Sequence, residues 1–98
     1  MNVLHQNYYN KEGKKECWDM MQDTMGKDFT IDFCLGSAYK YAYRAGLKED
    51  NPKTQDIAKI KVYMDKAREL STSMFDEDKI LIVEKMIKKE GIDYVREK

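Results

Sequence analysis

A chain of 98 residues with 42% hydrophobic and 37% charged side chains is too apolar to stay disordered and long enough for one modest core. Eighteen Lys and Arg against eighteen Asp and Glu leave no net charge, which excludes the bulk positive field that non-specific DNA or RNA binding feeds on. No apolar run approaches the ~20 residues needed to span a bilayer, and two cysteines without a CxxC spacing exclude a disulfide framework and point to reduced, cytosolic thiols.

Residues 1–14 are polar and end in Asn10-Lys11-Glu12-Gly13-Lys14, a loop by composition; His5, Tyr8 and Tyr9 sit in this arm. Its first ten residues carry neither a basic nor an apolar signal-peptide region, so no leader is expected. A first helix is predicted from about Lys15 to Met25, with Trp18, Met21 and Met25 at helical spacing and Gly26 as its stop. Cys17 beside Trp18, and Cys34 further on, both read as small core hydrophobes.

Thr30 is the expected N-cap of a second helix, with Asp32 in its first turn at the positive end of the dipole. Ile31, Cys34, Leu35, Ala38, Tyr41, Ala42 and Ala45 form its apolar face, and Gly46 suits a left-handed C-terminal position. After a charged loop at Lys48 to Asn51, Pro52 fits the first turn of a third helix capped by Asn51 or Thr54. Its Ile57, Ile60, Met64, Ala67 and Ser71 alternate by three and four, a seam for core or a dimer interface. Ser71-Thr72-Ser73 breaks the pattern. Asp76 or Asp78 then caps a fourth helix through Ile80 to Ile87, with Lys88 and Lys89 at its C-terminal end, Gly91 following, and a last turn near Ile92 to Val95. The expected fold is all-α: one helical domain of three main helices, with residues 71–98 as a C-terminal helical extension.

The stripe that carries most chemistry lies in Gly36-Ser37-Ala38-Tyr39-Lys40-Tyr41-Ala42-Tyr43-Arg44, where spacing by four aligns Gly36, Lys40 and Arg44. Arg offers a planar fork for two phosphate oxygens and Lys a mobile point charge. Gly36 removes a side chain one turn earlier, at a helix cost of about 1 kcal/mol. Phe33, Tyr39 and Tyr43 offer rings on which a base can stack. Glu16 and Asp56 can orient the cations, hold a ribose hydroxyl or bind a metal beside a phosphate, or else be ordinary surface ion pairs, which is the reading for Asp19. The competing reading makes Lys40 and Arg44 a solvated face and Gly36 a close helix crossing. One histidine and two cysteines fall short of a structural zinc site, and neither a GxxxxGK[ST] nor a GxGxxG loop occurs.

In the order Tyr9, Glu16-Cys17, Phe33 with Gly36, Lys40-Tyr41 with Arg44, Lys48, and Asp56 with Lys59, the chain resembles a small phage family, domain of unknown function 3310, also labelled SaV-like or phage nucleotide kinase-like. The resemblance covers roughly residues 8–70 and leaves the fourth helix outside. Two positions depart from it: Tyr8 stands where the family usually has histidine, and Ser37 where asparagine often follows the glycine. His5 lies too far upstream to match directly, though the arm could return it. The resemblance implies nucleotide handling, and a longer branch is linked to deoxynucleoside monophosphate phosphorylation.

Together the two readings nominate Tyr8, Tyr9, Glu16, Phe33, Gly36, Ser37, Lys40, Tyr43, Arg44 and Asp56 as ligand-binding residues, with no catalytic or metal-ligating residue assigned. The expected activity is phage-type binding of a phosphate-bearing nucleotide, sequestering an immune signal of host defence, in the cytoplasm of a bacterial host. The expected assembly is a homo-oligomer, with no membrane partner. Small size and the missing family histidine favour a binder over an enzyme. The alternatives are a deoxynucleoside monophosphate kinase, the one case that needs Mg with ATP, and a non-enzymatic protein-interaction module; otherwise no cofactor is expected.

Overall fold

The computed structural model describes residues 16–47 and 52–96. They form α1 (Cys17–Met25), α2 (Lys27–Arg44), α3 (Lys53–Leu70) and α4 (Met74–Lys89), closed by a 3₁₀ turn at Tyr94–Arg96. There is no strand among the described residues, so the all-α expectation holds.

The core follows from two interlocking stripes. On α2, Ile31, Cys34, Leu35, Ala38 and Ala42 recur at three- and four-residue spacing, and all are buried. On α3, Ile57, Ile60, Met64 and Ala67 do the same. The small Ala38, Ala42 and Ala67 leave room for Ile60 and Met64, whose side chains are fully buried. Contacts of Arg44 with Asp56 and of Phe33 with Tyr63 show that the two helices run antiparallel. The predicted seam therefore packs against α2 of the same chain. Leu70 is its last buried member, while Ser71 has become the C-cap of α3. From α4, Ile80 and Ile87 complete the core, together with Ile92 and Tyr94.

The helix starts differ from the sequence expectation for identifiable reasons. Gly26, at φ 94°, separates α1 from α2 by itself, so α2 begins at Lys27 and not at Thr30. Thr30 is buried inside the helix, and its hydroxyl donates to the Gly26 carbonyl one turn back, 2.9 Å away. Asp28 takes the first-turn position, and Asp32 pairs across to Lys79 of α4 at 2.6 Å. Gly46 has the expected positive φ of 80°. Pro52 precedes the first turn of α3 as its N-cap residue and Thr54 lies exposed within the helix; Asn51 lies outside the described residues.

Ser73, not Asp76 or Asp78, caps α4: its Oγ accepts the Asp76 N–H at 3.1 Å. The buried Asp76 carboxylate reaches back to accept the Thr72 N–H at 3.1 Å and the Lys27 ammonium at 2.8 Å, tying the start of α4 to the start of α2. Arg68, Glu84 and Tyr94 make a second tie, with the Tyr94 hydroxyl donating to Glu84 at 2.8 Å and Arg68 donating to both. Cys34 is buried as expected, but Cys17 is exposed, because the short α1 turns Trp18 inward and its neighbour outward.

Candidate functional site

The α2 stripe meets α3 where the hairpin turns. Arg44 closes α2 and Asp56 opens α3, each at the helix end whose dipole favours its charge. The Arg44 Nη2 lies 3.4 Å from Asp56 Oδ1, and Asp56 is fully buried. A buried carboxylate needs such partners, since desolvation would otherwise expel its charge. Lys59, one turn along α3, sets its Nζ 4.0 Å from the same oxygen.

Tyr41 is the platform beneath these charges. The Arg44 guanidinium stands 4.8 Å from its ring centroid, and the Lys40 and Lys59 ammonium groups 5.0 Å each. The three cations therefore lie within about 10 Å of one another, close to one Debye length at physiological salt. The negative face of the ring attracts all three. Tyr41 is in turn stacked on Tyr63 of α3, at 5.9 Å and 18° between planes, and Tyr63 meets Phe33 and Trp18 edge-on at 6.0 and 6.3 Å. This aromatic row fixes the platform between the two helices.

Helix-dipole and ion-pair needs account for Arg44 and Asp56. Lys59 shares the Asp56 ion pair, but neither need accounts for Lys40, and among the described residues the cluster holds three cations around one carboxylate. Among the described residues the buried Arg44 Nε also has no hydrogen-bond partner. Such a surface can accept an anion with several oxygens at little cost in reorganisation.

Gly36 bears on one part of the competing reading, the close helix crossing. It is exposed, and a Cβ placed on it would meet nothing within 4 Å. Among the described residues no helix crosses there, so a close crossing of these helices does not explain the glycine. The glycine instead leaves an open floor between Phe33 and Lys40. Ser37 is half-buried beside it, and Tyr39 and Tyr43 stand exposed along the adjoining side of α2.

The structure thus gathers Phe33, Gly36, Ser37, Lys40, Arg44 and Asp56 at one face, with Tyr43 at its border. Glu16 sits apart. It accepts a 2.9 Å hydrogen bond from Trp18 Nε1, beyond Tyr63 from the cations. Asp19 pairs with Lys66 at 3.8 Å on the same side, as surface pairing predicts. Tyr8, Tyr9, His5 and Lys48 lie outside the described residues. Sequence reasoning assigned Tyr41 to the apolar face, treated Lys59 only as a motif match, and left Tyr63 unplaced. The signal for them was the spacing Asp56, Lys59, Tyr63, which puts all three on one side of α3 next to the apolar seam. Among the described residues no group of three or more His, Cys, Asp or Glu side chains is placed to hold a metal ion, and no helix is long and apolar enough to cross a membrane.

The chain belongs to the family described as protein of unknown function (DUF3310), whose profile matches residues 3–65. That span contains α1, α2 and most of α3, takes in His5, Tyr8 and Tyr9, and excludes α4. No curated protein and no solved structure matches the chain.

Proposed function

We propose that the α2–α3 face holds a phosphate-bearing, nucleotide-like small molecule. The observation that carries this reading is the surplus of cations around Tyr41 among the described residues: Lys40, Arg44 and Lys59 against the carboxylate of Asp56. In this reading Arg44 and Lys59 take phosphate oxygens, Asp56 orients Arg44, and Lys40 closes over the anion from the solvent side. The open floor at Gly36 admits the sugar, and Phe33 or Tyr43 offers a ring for the base. Tyr8 and Tyr9, within the matched family span, are candidates to complete the pocket.

The chain then acts as a binder that withdraws a nucleotide from use, consistent with a phage protein that sequesters a host-defence signal. Kinase chemistry would ask more of it: two nucleotides held in line, with the charge of the transferred phosphoryl group neutralised.

Calorimetric titration of the full chain with a panel of monophosphates, triphosphates, cyclic dinucleotides and ADP-ribose-type ligands tests the reading. One class should bind, and Arg44→Ala and Lys59→Ala should each weaken it by about tenfold or more, while Lys66→Ala leaves it unchanged. Equal binding by all four proteins would remove the site from this face. Product analysis with ATP and deoxynucleoside monophosphates separates binding from turnover.

A further inference from the structure

We infer that the outward face of α4 is an antiparallel two-fold interface with a second copy of this chain. Four large apolar side chains stand out from this helix: Met74, Phe75, Leu81 and Ile82 are 52–78% exposed. At 100° per residue they fall on one side of α4, opposite the side that sends Ile80, Val83 and Ile87 to the core. They form two exposed apolar pairs, Met74 with Phe75 and Leu81 with Ile82, with Asp78 between them, and such pairs gathered on one helix face mark an interaction surface.

The charges on the same strip identify the occupant. Asp78 lies three residues before Leu81, and Lys85 three residues after Ile82; both are exposed on the same side. A two-fold axis through the Leu81–Ile82 pair sets the Asp78 of each copy against the Lys85 of the other. The same operation lays the stems of Lys88 and Lys89 over Met74 and Phe75 of the second copy, covering apolar surface while their charges stay in water. Glu77 is exposed in the first turn of α4 and Lys88 and Lys89 in its last, so an antiparallel pair sets acidic ends against basic ones and also opposes the helix dipoles. A parallel pair would set Asp78 against Asp78 and Lys85 against Lys85. The strip is therefore complementary to itself under one symmetry, which is what an isologous interface requires. It also lies outside the residues the family profile matches.

Sedimentation velocity and light scattering over a concentration series of the full chain read the assembly directly. The wild type should form a dimer. Asp78→Lys and Lys85→Asp should each weaken it by about tenfold or more, because every wrong pair occurs twice. The double variant D78K/K85D should regain wild-type association, and an equimolar mixture of the two single variants should form mixed dimers. Leu81→Arg should give a monomer with an unchanged helical circular-dichroism signal. A wild type that stays monomeric throughout the series would overturn the interface. So would a double variant that associates no better than the singles, or a Leu81→Arg chain that keeps the dimer mass.

Discussion

Arg44 is held in three ways: by the ring of Tyr41, by the buried carboxylate of Asp56, and by the C-terminal dipole of its own helix. Asp56 depends on it more than the reverse. Arg44 keeps some exposure to solvent, whereas Asp56 has none. Removing the guanidinium should therefore cost stability as well as binding. Arg44→Ala should destabilise by about 2–4 kcal/mol, and Arg44→Lys should restore most stability but less binding, since an ammonium cannot fork across two oxygens. Denaturant melts beside calorimetry separate the two effects.

The cysteines make a contrasting pair. Burial pushes the Cys34 thiol up to about 11, so at neutral pH it is a protonated core residue. Cys17 is exposed on α1. A thiol reagent at pH 7 should label one cysteine per folded chain, at Cys17, and reach Cys34 only in denaturant. Rapid labelling of Cys34 in the folded chain would contradict the packing described for α2.

At the scale of elements, each helix start shows how far local rules carry. All four helices are legible from periodicity because their apolar residues recur by three and four, and Gly26 and Gly46 mark where the chain must reverse. The caps were not legible. Thr30 and Asp32 have good first-turn chemistry, but Gly26 alone makes the turn, so α2 starts before either of them. Asp76 looked like a cap and instead bonds Lys27, 49 positions away. Long-range partners of this kind leave no local signal. The same holds for the site: the Lys40–Arg44 stripe could be read from one helix, but Lys59 and Tyr63 join it only because α3 folds back antiparallel.

Asp76 gives this element a pH signature. The Lys27 hydrogen bond first, and the Thr72 N–H second, pull its carboxyl from 3.8 to about 2, against the opposing effect of burial. A carboxyl lowered by folding stabilises the fold above its ordinary value, and that stabilisation disappears as pH falls from 3.8 towards 2. Asp76→Asn should therefore melt lower than wild type at pH 6, and the gap should close across that acid window. A gap that persists below it would mean that Asp76 acts by packing alone. Gly36 makes a second test on α2. With open space around it, Gly36→Ala should raise stability by about 1 kcal/mol. A bulky Gly36→Phe should fold and yet block the ligand.

The whole molecule is a family unit with a helix added. The profile match ends at residue 65, but Ile80 and Ile87 of α4 are core residues of the same cluster as α2 and α3. Burying them supplies about 3–6 kcal/mol, comparable with the total stability of a small domain, about 5–15 kcal/mol. A chain ending at Leu70 should consequently lose cooperative melting. The extension is thus part of the fold, and its outer strip is available for the proposed assembly while the α2–α3 face is available for the proposed ligand.

Lys40, Arg44 and Lys59 around Tyr41 are proposed to form a site for a phosphate-bearing ligand. Its most direct test is calorimetric titration of wild type and Arg44→Lys with the nucleotide panel at two salt concentrations. One ligand class should bind the wild type, with affinity falling as salt rises, and the folded Arg44→Lys chain should bind it more weakly. Binding that is indifferent to both salt and the Arg44 substitution, or no binding by the wild type to any member of the panel, would contradict it.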